Sequence, residues 1–176
     1  MLAPKFWCPE NNEISFSSLA LVPFGHIYSL LSKLRMSKAV KKQFDIPIVC
    51  IGNLNAGGTG KTPTTISAAQ FLRDRKYNVH IVSRGYGGNA MGPLSVNDQQ
   101  HSANDVGDEA LMLSAFAPTW VASNRSDGIQ SAIKEGADIV LLDDGFQDPS
   151  VYKDLSILTV TVSYTHLRAH ETGINL

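Results

Sequence analysis

From Asn55 to Thr62 the chain reads Asn-Ala-Gly-Gly-Thr-Gly-Lys-Thr. These residue types, so close together, suit the holding of a polyphosphate. Gly57, Gly58 and Gly60 let the backbone take positive φ and approach a ligand closely. Successive N–H groups then turn inward and form a nest for an anion, and a helix that starts here adds its N-terminal dipole. Lys61 reaches β- and γ-phosphates as a point charge, and the Thr62 hydroxyl can ligate Mg²⁺. Pro63 costs little, because first-turn N–H groups have no helical partner. The predicted nucleotide-binding set is Asn55, Ala56, Gly57, Gly58, Thr59, Gly60, Lys61 and Thr62. Asn55 stands where this kind of loop usually has glycine.

A loop of this kind needs an acid at the end of a second strand to hold Mg²⁺ directly or through water. Ile-Val-Leu-Leu-Asp-Asp-Gly, residues 139–145, supplies Asp143 and Asp144. Adjacent carboxylates at a strand end repel each other unless a cation lies between them; the alternative is a pair of ordinary turn aspartates. In 105–113 (Asp-Val-Gly-Asp-Glu-Ala-Leu-Met-Leu), Asp105 is expected to cap a helix and so place Asp108 and Glu109 in its first turn. Acids favour that position through the helix dipole whether or not they do chemistry. If they do, they serve as a base or metal contact facing the γ-phosphate. Arg84, in Ser-Arg-Gly-Tyr-Gly-Gly (83–88), follows a strand end and can clamp an anion. His26, His80 and His101 have no metal-site spacing and read as structural or exposed. Trp7 and Trp120 read as packing residues.

The elements that must carry these residues follow from apolar runs. Strands are predicted at 46–52, 78–83, 119–122, 138–142 and 155–160, and helices at Pro63 to about Arg75, 105–116 and 124–135. Strands that are apolar throughout, alternating with helices, imply an α/β fold: a parallel sheet covered on both faces. The span 84–104 has no period and reads as a long loop.

At 176 residues, 43% apolar and 18% charged, with net charge −1, the chain has room for one well-cored domain. It carries no charge bias toward nucleic acid. Cys8 and Cys50 form neither a disulfide framework nor a metal pair. No apolar run reaches the roughly 18 residues of a spanning helix. A helix is predicted over 23–42, with Phe24, Ile27, Tyr28, Leu31 and Leu34 on one face. Five basic residues and no acidic one lie between Ile14 and Phe44. Such a helix either rests on an anionic membrane or packs on its own domain with a solvated basic end. The last residues, 162–176, break the pattern before them. They look like translated sequencing-adapter sequence, the alternative being a genuine polar tail. The expected division is an N-terminal segment at 1–45, a phosphate-loop core at 46–161 and a non-native tail at 162–176.

Five segments in order, 52–63, 83–88, 105–113, 117–125 and 143–150, resemble the tetraacyldisaccharide 4′-kinase family, the lipid A 4′-kinases. The resemblance covers residues 1 to about 160. It implies a P-loop NTPase-type core preceded by an amphipathic helix that meets the membrane. It implies transfer of the γ-phosphoryl of ATP, with Mg²⁺, to the 4′-hydroxyl of an acylated glucosamine disaccharide 1-phosphate. The place implied is the cytoplasmic face of the bacterial inner membrane, with no nucleic-acid partner. By the same resemblance Lys61, Arg84 and Asp108 are catalytic, with Asp108 as the general base. Thr62, Glu109, Asp143, Asp144 and Gln147 surround the metal. Asp148 stands where many members carry a basic or amide residue, and it receives no role. The family also has a C-terminal region that completes the ATP cleft and supplies a histidine partner for the base. His166 and His170 are not assigned to it, so this chain is expected to be an inactive fragment. The rival reading is a P-loop GTPase or ATPase serving as a switch or metallochaperone. It would call for a guanine-reading [Asn/Thr]-Lys-x-Asp segment or a Cys-rich motif, and neither occurs.

Overall fold

The structure, a computed structural model, describes residues 41–53 and 60–160, with Pro23 and Gly25. The chain divides into two compact units, Met1–Val40 and Lys41–Leu176. The second is described here by itself. The predicted helix at 23–42 and the tail at 162–176 lie outside the described residues, apart from isolated positions of the helix.

Six strands form one sheet in the order β3-β4-β2-β5-β1-β6. They are β1 (Ile48–Asn53), β2 (Val79–Ser83), β3 (Leu94–Ser95), β4 (Thr119–Val121), β5 (Ile139–Asp143) and β6 (Leu155–Thr159). Among the described residues four helices connect them: α1 (Lys61–Asp74), α2 (Ala103–Val106), α3 (Asp108–Ser114) and α4 (Arg125–Lys134). Every neighbouring pair is parallel except β3–β4, which is antiparallel. The sheet is therefore mixed at one edge, where a wholly parallel one was expected.

Side chains on successive strand residues point to opposite faces, and this divides the core. Val79, Ile81, Ile139 and Leu141 pack with Ala69 of α1 and Leu113 of α3. Val82, Val140 and Leu142 pack with Ile129 and Ala132 of α4. Both faces are thus buried, which explains why β2 and β5 read as unbroken apolar runs. His80 is buried in β2 and accepts a hydrogen bond at Nδ1 from Trp120 Nε1 at 3.2 Å. Both residues are structural. Burial lowers the His80 pKa.

The helix expected at 105–116 is two helices. Ser102 and Asp105 form a capping box for α2. The Ser102 N–H and hydroxyl both donate to Asp105 Oδ2, at 2.8 and 2.7 Å. Asp105 is therefore the third residue of a one-turn helix and not the cap of a long one. Gly107, at φ 87°, then ends α2 and starts α3 in a new direction. The span 84–104 also holds more than a loop. Leu94 and Ser95 add β3 to the sheet edge, and Leu94 and Val96 pack on Val106, Ala110 and Val121.

Candidate functional site

In a parallel sheet the carboxyl ends of neighbouring strands share one edge, and ligands bind there. Ile51 of β1 is in register with Asp143 of β5. The strand that leads into the phosphate-loop sequence and the strand that ends in acids therefore finish side by side. Asn55, Ala56, Gly57, Gly58 and Thr59 lie outside the described residues. Gly60, in the left-handed region at φ 77°, caps α1.

Lys61, Thr65, Asp143 and Asp144 converge at this edge. Lys61 Nζ lies 3.1 Å from Asp144 Oδ1, with side chains 18% and 55% exposed. Thr65, one turn into α1, places its hydroxyl 3.1 Å from the Lys61 carbonyl and 3.4 Å from Asp143 Oδ1. Thr62 is buried on the same turn. Asp143 is 2% exposed. Burial, then the charges of Glu109 and Asp144, raise its pKa to about 6 against the opposing pull of Lys61 and Thr65. The influence of Glu109 brings the start of α3 into the same electrostatic neighbourhood. Asp144 takes a left-handed conformation, φ 53°, and its N–H donates to the Ile51 carbonyl at 2.8 Å. Aspartate is among the few non-glycine residues that enter this region readily.

The loop at 83–88 and the α2–α3 junction are joined backbone to backbone. Asn89 N–H donates to Asn104 O at 3.0 Å and Ala90 N–H to Asp105 O at 2.8 Å. A Cβ on Gly88 would lie 2.6 Å from the Asp105 carbonyl oxygen, and one on Gly107 2.5 Å from that of Tyr86. These close approaches require glycine and hold the 83–88 loop against the junction that launches Asp108. Arg84, Asp108, Glu109 and Gln147 are all exposed. None of their side chains makes a hydrogen bond or ion pair among the described residues. The structure thus brings Lys61, Thr65, Asp143 and Asp144 together, with Thr62 buried beside them and Glu109 near enough to act on Asp143 by its charge, while Arg84, Asp108 and Gln147 make no such contact among the described residues.

Three further residues at this edge carry no sequence-level assignment. Arg125, first residue of α4 and 7% exposed, donates from Nη2 to the Asp144 carbonyl at 2.7 Å. Its Nη1 lies 3.4 Å from Asp148 Oδ2. Lys153 Nζ donates to the carbonyls of Asp148 at 2.8 Å and Phe146 at 3.3 Å. A cation at a helix N-terminus opposes the helix dipole. An arginine at that position was the available signal.

Comparison with known proteins gives this edge a relationship. A family profile described as tetraacyldisaccharide-1-P 4′-kinase matches residues 17–168. The chain belongs to this family. Among curated tetraacyldisaccharide 4′-kinases, that of Parvibaculum lavamentivorans is 45% identical over 161 residues, or 91% of this chain and 47% of the relative. That of Jannaschia sp. (strain CCS1) is 48% identical over 160 residues, covering 91% and 48%. A crystal structure described as the "apo" form of LpxK from Aquifex aeolicus in complex with ATP is similar, with a TM-score of 0.70 and 30% identity. The likeness covers 79% of this chain and 47% of that one. The chain spans about half the length of the curated relatives it matches. Within this tetraacyldisaccharide 4′-kinase member, the matched span takes in every residue gathered at the strand-end edge.

Proposed function

We propose that this chain is the nucleotide-binding portion of a kinase that passes the γ-phosphoryl of ATP to the 4′-hydroxyl of a tetraacyldisaccharide 1-phosphate. The observation that carries the reading is the contact of Lys61 with Asp144 beside buried Asp143, at the end of the strand paired with the one that enters the phosphate-loop sequence. The ATP in the structurally similar Aquifex aeolicus protein supports the same nucleotide here.

The residues present fit Mg²⁺. Its usual protein ligands are a hydroxyl and one or two carboxylates, with water and phosphate oxygens completing an octahedron. Thr62, Asp143 and Asp144 supply that chemistry. Among the described residues no three or more His, Cys, Asp or Glu side chains form a metal cage of their own, so a cation here would share its ligation with the nucleotide. Bound, it would neutralise charge on the phosphates. Lys61 would exchange Asp144 for β- and γ-phosphate oxygens, and Asn55 to Gly60 would cradle the phosphate chain through backbone N–H groups. Glu109 and Gln147 would flank the metal. Asp108 would accept the proton of the attacking sugar hydroxyl, and Arg84 would neutralise the transferring group.

The membrane reading rests on the basic amphipathic pattern at 23–42, which would lay the enzyme on the cytoplasmic face of the inner membrane. No helix among the described residues is long and apolar enough to cross a membrane. The test is transfer of labelled γ-phosphate from ATP to tetraacyldisaccharide 1-phosphate by the whole protein. Product labelled at the 4′-oxygen is the expected result. ATP hydrolysis with no labelled disaccharide would refute the acceptor assignment.

A further inference from the structure

The two acids at the end of β5 stand at the start of a turn, 144–150, that is not a regular element. Asp144 sits in a left-handed conformation, one that aspartate tolerates better than most residues. Its carboxylate faces Lys61, and its backbone carbonyl is held by a side chain. That side chain comes from elsewhere in the sequence. Arg125, rooted at the start of α4, grips the Asp144 carbonyl with one arm of its fork and Asp148 with the other. Asn124 anchors this start by accepting from the Ser126 N–H at 3.2 Å. Asp148 is itself fixed, since Oδ1 accepts from the Ser150 N–H at 2.9 Å and the Ser150 hydroxyl at 2.5 Å. Burial acts against its charge, but Ser150 and Arg125 outweigh it and hold its pKa below the usual carboxylate value. Arg125 also keeps Nε buried with no partner. That carries a desolvation cost which an apolar side chain of similar size would avoid, so packing alone does not account for arginine here.

Resting on the kinase reading above, we infer that Arg125 and Asp148 form a positioning pair for the metal-binding turn: their ion pair and the grip on the Asp144 carbonyl set Asp143 and Asp144 at the angle that meets a phosphate-bound Mg²⁺. The pair acts through the turn, as groups that orient metal ligands do. The fork geometry of arginine matters, because its two Nη donors reach the carbonyl and the carboxylate from separate, fixed positions, whereas an ammonium offers all its donors from one nitrogen.

The test is the metal dependence of ATP binding to the 176-residue chain, measured by titration with Mg²⁺ present and with Mg²⁺ chelated. Mn²⁺ replaces Mg²⁺ in a parallel spectroscopic titration of bound metal. Arg125→Met is expected to lower the metal-dependent gain in affinity about tenfold while metal-free ATP binding stays near wild type. Arg125→Lys should fold even where the methionine variant does not, and should lose most of the same gain. Asp148→Asn is expected to show a smaller loss, and adding it to Arg125→Lys should cost little more, because the two act as one unit. A metal-dependent gain that survives in both Arg125→Lys and Asp148→Asn overturns the inference and leaves the kinase reading standing. A wild-type chain whose ATP binding ignores Mg²⁺ overturns both.

Discussion

Burying a carboxylate away from any bound cation favours its protonated form, and Asp143 lies buried at the end of β5 with its pKa raised to about 6. A displacement of that size corresponds to roughly 3 kcal/mol against the charged form at neutral pH. The folded metal-free chain binds this proton more tightly than the unfolded chain does. The contribution of Asp143 to stability is therefore full below its ordinary pKa of 3.8 and is lost as pH rises through about 6. Asp143→Asn, which can still accept from Thr65, is expected to stabilise the metal-free chain at pH 7 by about 1–3 kcal/mol. The advantage should vanish near pH 4, as read by urea unfolding at both pH values, and metal-dependent ATP binding should be lost. An unchanged or lowered stability at pH 7 would show that the carboxylate is not held against a desolvation cost. Asp108 lies at the rim, outside the Lys61 cluster, so Asp108→Ala is expected to leave ATP affinity intact. In the whole protein it should slow phosphoryl transfer by about 10²–10⁴-fold. Weakened ATP binding with normal transfer would refute its role as base.

At the scale of elements, position depends on junctions more than on the elements themselves. Gly107, at φ 87°, redirects the chain between α2 and α3, and its Cα hydrogen faces the Tyr86 carbonyl. Gly107→Ala is expected to cost at least about 2 kcal/mol, measured by chemical denaturation, and to separate the 83–88 loop from the start of α3. Wild-type stability in that variant would mean that the two segments are not packed as described. This junction also marks where the sequence stops being legible. The strands could be read because burial on both sheet faces leaves runs such as Ile-Val-Leu-Leu with no competing pattern. That Lys61 would meet the acids at 143–144 could be read because each follows the end of an apolar parallel strand, and such ends share one edge. The break at Gly107 could not, since a glycine within a helical pattern is often tolerated and only the close approach of a distant loop decides the matter. The antiparallel strand β3 has two residues, too few to show a period. Arg125 and Asp148 lie 23 residues apart and meet only when α4 and the 144–150 turn are both folded.

At the scale of the molecule, the mixed sheet brings the ends of β1, β5, β2 and β4 to a single edge. The segments that resemble a kinase family at the level of sequence all arrive there: the end of β1 and start of α1, the 83–88 loop, the α3 start, the α4 start and the 143–150 turn. The central claim is that this edge binds ATP together with its metal, through Lys61 on one side and the paired acids on the other. It is tested most directly by calorimetric titration of ATP into the 176-residue chain with and without Mg²⁺, for wild type and Lys61→Ala. The account predicts binding by wild type that tightens when Mg²⁺ is present, and loss of that binding in Lys61→Ala. ATP binding by wild type that is indifferent to Mg²⁺, or that survives unchanged in Lys61→Ala, would contradict it.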